Sequence, residues 1–236
     1  MEKTHGCIHE GEHHKGTQDK CVSLVPIFNH LEEGQMDEIM NTARSIIFQK
    51  GEMIYQAGEQ SDALYLVNKG KIRIYRLSES GKEQLVRILR PGDFTGELAL
   101  FNEGVHESYA EAMLETLVCV IKRTDLQKLL LKYPTISLKI LSEFSNRLDQ
   151  SEKQTTRFAT EKVETRIAMF LAECIDAEKD SHEIVLPMSK KDLASYLGTT
   201  PETVSRKLAD LEQDGLIKQK LHKKIEILDL DGLLLV

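Results

Sequence analysis

Glu202, Ser205 and Arg206 fall within one five-residue stretch whose neighbours are patterned for burial. In Thr200-Pro-Glu-Thr-Val-Ser-Arg-Lys-Leu-Ala-Asp-Leu211 the apolar Val204, Leu208 and Leu211 recur at helical spacing, so Glu202, Thr203, Ser205, Arg206 and Lys207 point away from the buried side. An arginine there can give two hydrogen bonds to guanine O6 and N7, a glutamate can accept from cytosine N4, and a serine is adaptable. Thr200 supplies an N-cap, and Pro201 takes the first helical position, where its missing N–H costs nothing. The preceding stretch, Ser189-Lys-Lys-Asp-Leu-Ala-Ser-Tyr-Leu-Gly198, predicts a shorter helix. Ser189 caps it through the Asp192 amide, Leu193, Ala194 and Leu197 form its buried stripe, and Gly198 ends it. Two short helices across a tight glycine turn match helix-turn-helix geometry, in which the second N-terminus meets DNA base edges. Gly215-Leu-Ile-Lys-Gln-Lys-Leu and Lys223-Lys-Ile-Glu-Ile-Leu predict a hairpin wing whose Lys223 and Lys224 can meet phosphate. The competing reading is a plain helical hairpin with exposed charges.

A second set of reactive groups lies far upstream. Cys7, His9, His13, His14 and Cys21 stand in a polar N-terminus, and Cys119 in the apolar run Leu117–Ile121. Three chemistries are open to them. Thiolate and imidazole together suit zinc, copper or haem. Cys7 or Cys21 could pair with Cys119 as a dithiol switch. Or the group is inert, a solvated His-rich tail and a small core residue. Cys174, on an apolar helical face, reads as core.

The elements that must position these groups differ along the chain. Residues 1–21 carry few apolar side chains and predict a flexible tail. From Val22 to Met40 apolar residues recur helically, broken by Pro26 and Gly34. Between Ala43 and Lys122, alternating or β-branched runs (Leu64–Val67, Lys71–Tyr75, Gln84–Leu89, Leu117–Ile121) are punctuated by glycines at 51, 58, 70, 81 and 92, the rhythm of an all-β barrel or sandwich. Beyond Thr124 the period turns helical. Leu141, Phe144, Leu148, Ser151, Thr155 and Phe158 are spaced 3-4-3-4-3, the seam of a two-stranded coiled coil, although a helix packed on its own domain competes with that reading. A further helix is expected over about Glu161–Ala177, then a short strand from Ile184. The division expected is a tail at 1–21, a β-roll at 22–123, a dimerisation helix at 124–159 and a winged helix-turn-helix at 160–236.

Net charge is −7, but residues 187–224 hold eight Lys/Arg against five acids, so the acidity lies upstream of a locally basic head. No apolar run is long enough to span a bilayer and the N-terminus is unlike a signal peptide, so a cytoplasmic protein without a membrane partner is expected.

From Val22 to its end the chain resembles the Crp/Fnr superfamily of regulators. The resemblance rests on the glycine-spaced roll, Gly96-Glu-Leu-Ala-Leu100, the long helix and Glu202-Thr-Val-Ser-Arg206. It implies an α+β fold: an N-terminal cyclic-nucleotide-binding-like β-roll (jelly roll), a long dimerisation helix and a C-terminal winged helix-turn-helix. It implies a homodimer on double-stranded DNA, with Glu202, Ser205 and Arg206 reading an inverted repeat similar to TTGAT…ATCAA. In an activator, roll residues near Phe101 to Glu107 would meet RNA polymerase. Oxygen-sensing Fnr proteins hold an iron–sulfur cluster by three closely spaced N-terminal cysteines and one on a strand like that of Cys119. Here Cys7 and Cys21 alone precede it, 14 residues apart, and the three-cysteine spacing is missing. Cyclic-AMP receptors carry a phosphate-binding Arg where this chain has Glu107, so classical cyclic-AMP binding is not expected. A signal through redox state, a metal, haem or a small organic ligand in the roll all stay open.

An enzyme of the cupin type shares the β-roll, but it needs several His and carboxylate ligands inside the barrel. Between Ala43 and Lys122 the one histidine is His106, so no catalysis is expected.

Overall fold

The computed structural model describes residues 21–101, 103–175 and 182–236. Two compact units emerge: one comprises residues up to Leu77 with Val86–Asn146, the other Ser78–Leu85 with Arg147–Val236.

The first unit opens with two helices, α1 (Cys21–Leu24) and α2 (Glu33–Thr42), separated around Pro26 as expected. Ten strands follow: β1 (Arg44–Phe48), β2 (Met53–Tyr55), β3 (Gln60–Ser61), β4 (Ala63–Lys69), β5 (Ile72–Leu77), β6 (Glu83–Leu89), β7 (Phe94–Thr95), β8 (Gly104–Val105), β9 (Tyr109–Ala112) and β10 (Thr116–Lys122). They form two four-stranded sheets, ordered β1-β10-β4-β7 and β2-β9-β5-β6, with β3 and β8 paired as a ribbon. Between β7 and β8 lies a 3-10 turn, Glu97–Leu100. Gly96 opens it with φ +83°, and a Cβ there would collide with the Ala63 carbonyl, so the turn requires glycine.

Side-chain alternation along β4 and β10 divides this unit into two cores. Leu64, Leu66, Cys119 and Ile121 face a helical layer with Val22, Val25, Phe28 and Ile39. Val67 and Val118 face the roll interior with Ile54, Tyr55, Ile72 and Ala110. Each strand buries both faces, which is why these runs are almost continuously apolar.

Helix α3 (Arg123–Lys132) and helix α4 (Pro134–Thr160) succeed β10. The sequence reading ran them together. Tyr133 breaks them with φ −125° and ψ +75°, because a residue before proline is pushed out of the helical region. Ile136 and Ile140 of α4 join the helical-layer core, and the helix, 27 residues long, reaches about 40 Å at 1.5 Å per residue.

In the second unit α5 (Val163–Glu173) is shorter than the expected span to Ala177. Then come β11 (Glu183–Val185), α6 (Lys190–Tyr196), α7 (Pro201–Gln213), β12 (Ile217–Gln219), β13 (Lys224–Ile227) and α8 (Leu230–Leu234). The sheet order is β11-β13-β12. Its core is closed by Ile167 and Leu171 of α5, Leu193 and Ala194 of α6, and Val204, Leu208 and Leu211 of α7, all fully or almost fully buried.

Candidate nucleic-acid interface

Helix α6 is capped as its sequence requires. Ser189 Oγ accepts from the Asp192 amide at 3.1 Å and donates to Asp192 Oδ2 at 2.6 Å. Thr200 Oγ1 caps α7 by accepting from the Thr203 amide at 3.3 Å, with Pro201 in the first turn. Val204, Leu208 and Leu211 anchor one face of α7, and Glu202, Ser205 and Arg206 are exposed together on the other. The three side chains with base-reading chemistry are therefore neighbours on the first two turns of one helix, beside the partial positive charge of its N-terminus.

Thr203 and Lys207 are half-buried instead. Lys207 Nζ lies 3.0 Å from Glu164 of α5 and 3.1 Å from Asp210, so its ammonium braces two helices. These carboxylates hold its proton more firmly than usual. A similar reallocation occurs in the wing. Lys224 Nζ is 2.7 Å from Glu183, and Lys220 Nζ is 2.9 Å from Glu183 and 3.0 Å from Glu226. Bonds from both lysines pull the Glu183 carboxyl down to about 2. Lys223 is exposed at the tip, next to His222. Both tip residues have left-handed backbone, φ +60° at His222 and +63° at Lys223, the geometry of a two-residue hairpin turn built without glycine. Beneath the wing a cavity of about 170 Å³ is lined by Leu186, Met188, Ile225, Lys190 and Lys220 among others.

Sequence reasoning missed the clamp under the turn of this head. Arg166 Nη1 of α5 donates to the Leu197 carbonyl at 2.7 Å, and its guanidinium lies 5.2 Å from the centre of the Phe158 ring. No periodicity signals a long-range bond from an arginine to a backbone carbonyl.

Along α4, Leu138, Leu141 and Leu148 are 68%, 58% and 62% exposed, an open apolar stripe. Ser151 and Thr155 are exposed below it. Phe144 departs from the expected seam: it packs against the core of its own unit and edge-on to Phe101 at 5.6 Å. Phe158 is 37% exposed, with the Arg166 guanidinium 5.2 Å from its ring centre. Leu141, Leu148, Ser151, Thr155 and Phe158 are all exposed at the spacing read from the sequence, and Leu138 extends the open stripe toward the start of the helix.

In the roll, Glu107 is exposed and paired with Arg76 at 2.6 Å, so it faces outward and not toward a buried phosphate as the sequence reading had it. The interior is occupied by other side chains. His106, 7% exposed, stacks flat on Tyr55. Arg87 Nη2 meets Glu97 at 3.1 Å, and the Tyr55 hydroxyl is hydrogen-bonded to Thr95 Oγ1 at 2.7 Å. A cyclic nucleotide needs that space and a free cation for its phosphate; with Arg87 committed to Glu97 and His106 on Tyr55, these residues do not fit one. On the outer surface Phe101 and Val105 are both 55% exposed.

Cys119 is completely buried, faces the helical layer and is disulfide-bonded. A disulfide sulfur is no thiolate ligand, so Cys119 in this state does not fit an iron–sulfur cluster, zinc or haem. Cys174 is half-buried and not in a disulfide. Cys7, His9, His13 and His14 lie outside the described residues, as does the side chain of Cys21. Among the described residues no group of three or more His, Cys, Asp or Glu could hold a metal ion, and no helix is long and apolar enough to cross a membrane.

Comparison with known proteins places these features in context. The cyclic nucleotide-binding domain family matches residues 46–133, and the Crp-like helix-turn-helix domain family matches residues 165–235. The chain is 34% identical over 213 residues to the probable transcriptional regulator flp of Lacticaseibacillus casei, covering 90% of this chain and 96% of that protein. It is 32% identical over 222 residues to the anaerobic regulatory protein of Haemophilus influenzae, covering 92% and 86%. Among solved structures, FixK2 from Bradyrhizobium japonicum superposes with a TM-score of 0.69 at 29% identity, covering 81% of this chain and 95% of that one.

Proposed function

Because the chain belongs to the Crp/Fnr family of DNA-binding transcription regulators, we propose that it reads an inverted repeat as a homodimer and responds to thiol redox state through Cys119. The observation that carries the DNA reading is the shared exposure of Glu202, Ser205 and Arg206 on α7. A dimer sets two such helices about 34 Å apart, on successive major grooves, and the open leucine stripe of α4 is the surface that pairs them. Half-sites similar to TTGAT remain the sites to test.

The redox reading draws its support from the disulfide at Cys119. The sulfur lies on the face of β10 that meets the helical layer, and Val22 of α1 and Val25 just after it share its core. Cys21 begins that helix, which favours Cys21 over Cys7 as the partner thiol. Oxidation joins the two sulfurs and releases two protons and two electrons; a peroxide takes these up and becomes two waters. Reduction would free α1 from the strand and loosen the layer on which Ile136 and Ile140 of α4 rest.

The test is fluorescence anisotropy with a TTGAT-type palindrome, in one buffer, on protein purified without oxygen and then treated with hydrogen peroxide. A change reversed by dithiothreitol and absent from Cys119→Ser supports the switch. Irreversible loss together with iron would replace it with a cluster, and binding indifferent to oxidation would sink it. No preference for the palindrome in either state would overturn the reading of Glu202, Ser205 and Arg206.

A further inference from the structure

The turn between α6 and α7 is gripped from below by the end of the long helix. Gln154 Nε2 of α4 donates to the Tyr196 carbonyl at 3.3 Å. One turn later Phe158 lies against Arg166, whose Nη1 donates to the Leu197 carbonyl at 2.7 Å. Gly198 follows with φ +68°, and the nearest atoms to a Cβ built there are Arg166 Nη1 at 3.6 Å and the Phe158 ring at 3.8 Å. The chain then turns through Thr199, whose amide reaches back to the Ala194 carbonyl at 2.9 Å, and enters α7 at the Thr200 cap.

Tyr196 and Leu197 close α6, and a helix leaves its last carbonyls without partners inside the helix. Gln154 and Arg166 satisfy two of them, and a cation there also suits the negative end of the helix dipole. The arrangement asks for a planar cation. Arg166 lies against an aromatic face and bonds a carbonyl with the same group, and a planar guanidinium holds both contacts in a fixed geometry that a point-charge ammonium on a flexible stem does not impose. Its Nε is buried without a hydrogen-bond partner, a desolvation cost that a solvent-facing arginine would avoid.

We propose that Arg166 is a positioning residue for DNA recognition: it fixes the Leu197–Thr199 turn that launches α7 and ties that turn to Phe158 in the last stretch of α4. This role rests on the DNA reading above. Arg166 touches no base, and its effect passes through the angle at which Glu202, Ser205 and Arg206 are presented. A change in how the α4 helices pair reaches the reading helix along the same path, Phe158 to Arg166 to Leu197.

The test compares Arg166→Ala, Arg166→Lys, Phe158→Leu and Arg206→Ala in the full-length protein. For each, affinity is measured for the palindrome and for a scrambled duplex of equal length, and the melting temperature is recorded. Arg166→Ala is expected to weaken palindrome binding by about tenfold, the scale of one lost charge-assisted hydrogen bond, and to leave scrambled-duplex affinity within about twofold. Arg166→Lys, which keeps the charge and folds more readily, should recover less than half of that loss. Phe158→Leu should lose part of the same discrimination, and its combination with Arg166→Ala should cost less than the two single changes together. Equal losses on both duplexes, full rescue by lysine, or additive effects would each overturn the role. If Arg206→Ala loses discrimination and the Arg166 variants do not, Arg166 alone is refuted. If the unaltered protein shows no preference for the palindrome, the DNA reading fails and this role with it.

Discussion

The imidazole of His106 lies flat on the ring of Tyr55, their centroids 3.7 Å apart and their planes inclined by 7°. His106 Nε2 is buried without a hydrogen-bond partner. Burial holds its pKa below the usual 6.5, against the opposing pull of Glu59, Asp62 and Glu97. A histidine kept neutral in the folded state stabilises it above the unfolded pKa, and that contribution is lost as pH falls from about 6.5 toward the folded value. Urea midpoints measured from pH 8 to pH 5 should therefore decline at the acid end. His106→Gln should flatten that decline, and an unchanged profile would assign it elsewhere. His106→Ala, which removes the stack, should cost roughly 1–3 kcal/mol at pH 8.

Two substitutions in α4 should separate assembly from folding. Leu141→Asp with Leu148→Asp places charge on the open stripe and should yield a folded monomer by sedimentation equilibrium. Phe144→Ala removes a ring packed on Phe101 and should lower stability by about 1–3 kcal/mol without dissociating the dimer. Dissociation by Phe144→Ala alone would return Phe144 to the dimer seam.

Adjacent residues on α7 should behave differently. Arg206, exposed, should lose about 1–3 kcal/mol of discrimination at a single base pair when changed to alanine. Lys207, committed to Glu164 and Asp210, should change palindrome affinity by less than about 0.5 kcal/mol. A binding matrix scanned across all half-site positions distinguishes them, and a base-specific loss from Lys207→Ala would show that the lysine leaves its carboxylates on DNA.

At the wing tip, stability and reach are set against each other. His222 and Lys223 hold left-handed backbone that side chains disfavour. Lys223→Gly should raise stability by roughly 1 kcal/mol in thermal unfolding. The same change removes the tip's exposed ammonium, so affinity for every duplex should drop by a similar factor. A gain in stability with undiminished binding would remove Lys223 from the interface.

Much of the head was legible in the sequence because its signals are local. Ser189, Thr200 and Pro201 mark helix starts within three residues, and Gly198 marks the turn; the structure places all four in those roles. The two-sided burial of β4 and β10 also shows in their apolar runs. What escaped depends on distant partners. Nothing near Lys207, Lys220 or Lys224 announces the carboxylates of Glu164 and Glu183, and nothing near Arg166 announces Leu197. Phe144 packs half-buried on the core of its own unit, a contact not legible in the sequence because a heptad pattern fits both a seam and a helix leaning on its own domain. Glu107 was placed by resemblance to a motif, and it lies in the bend between β8 and β9, where no side-chain alternation fixes the side a residue faces.

The paired lysines of the head have a thermodynamic corollary. A lysine that reaches DNA phosphate releases condensed counterions, and about 0.9 is counted per phosphate neutralised. Of the eight basic residues between 187 and 224, Lys207, Lys220 and Lys224 already face carboxylates. If one of these swung to the duplex, the carboxylate it left would gather a cation in its place, and little net release would follow. With Arg206 on a base edge, the slope of log affinity against log salt should thus count, for each protomer, the four remaining lysines and not eight. Binding would then persist through swings in ionic strength that would strip a head whose every base faced the backbone.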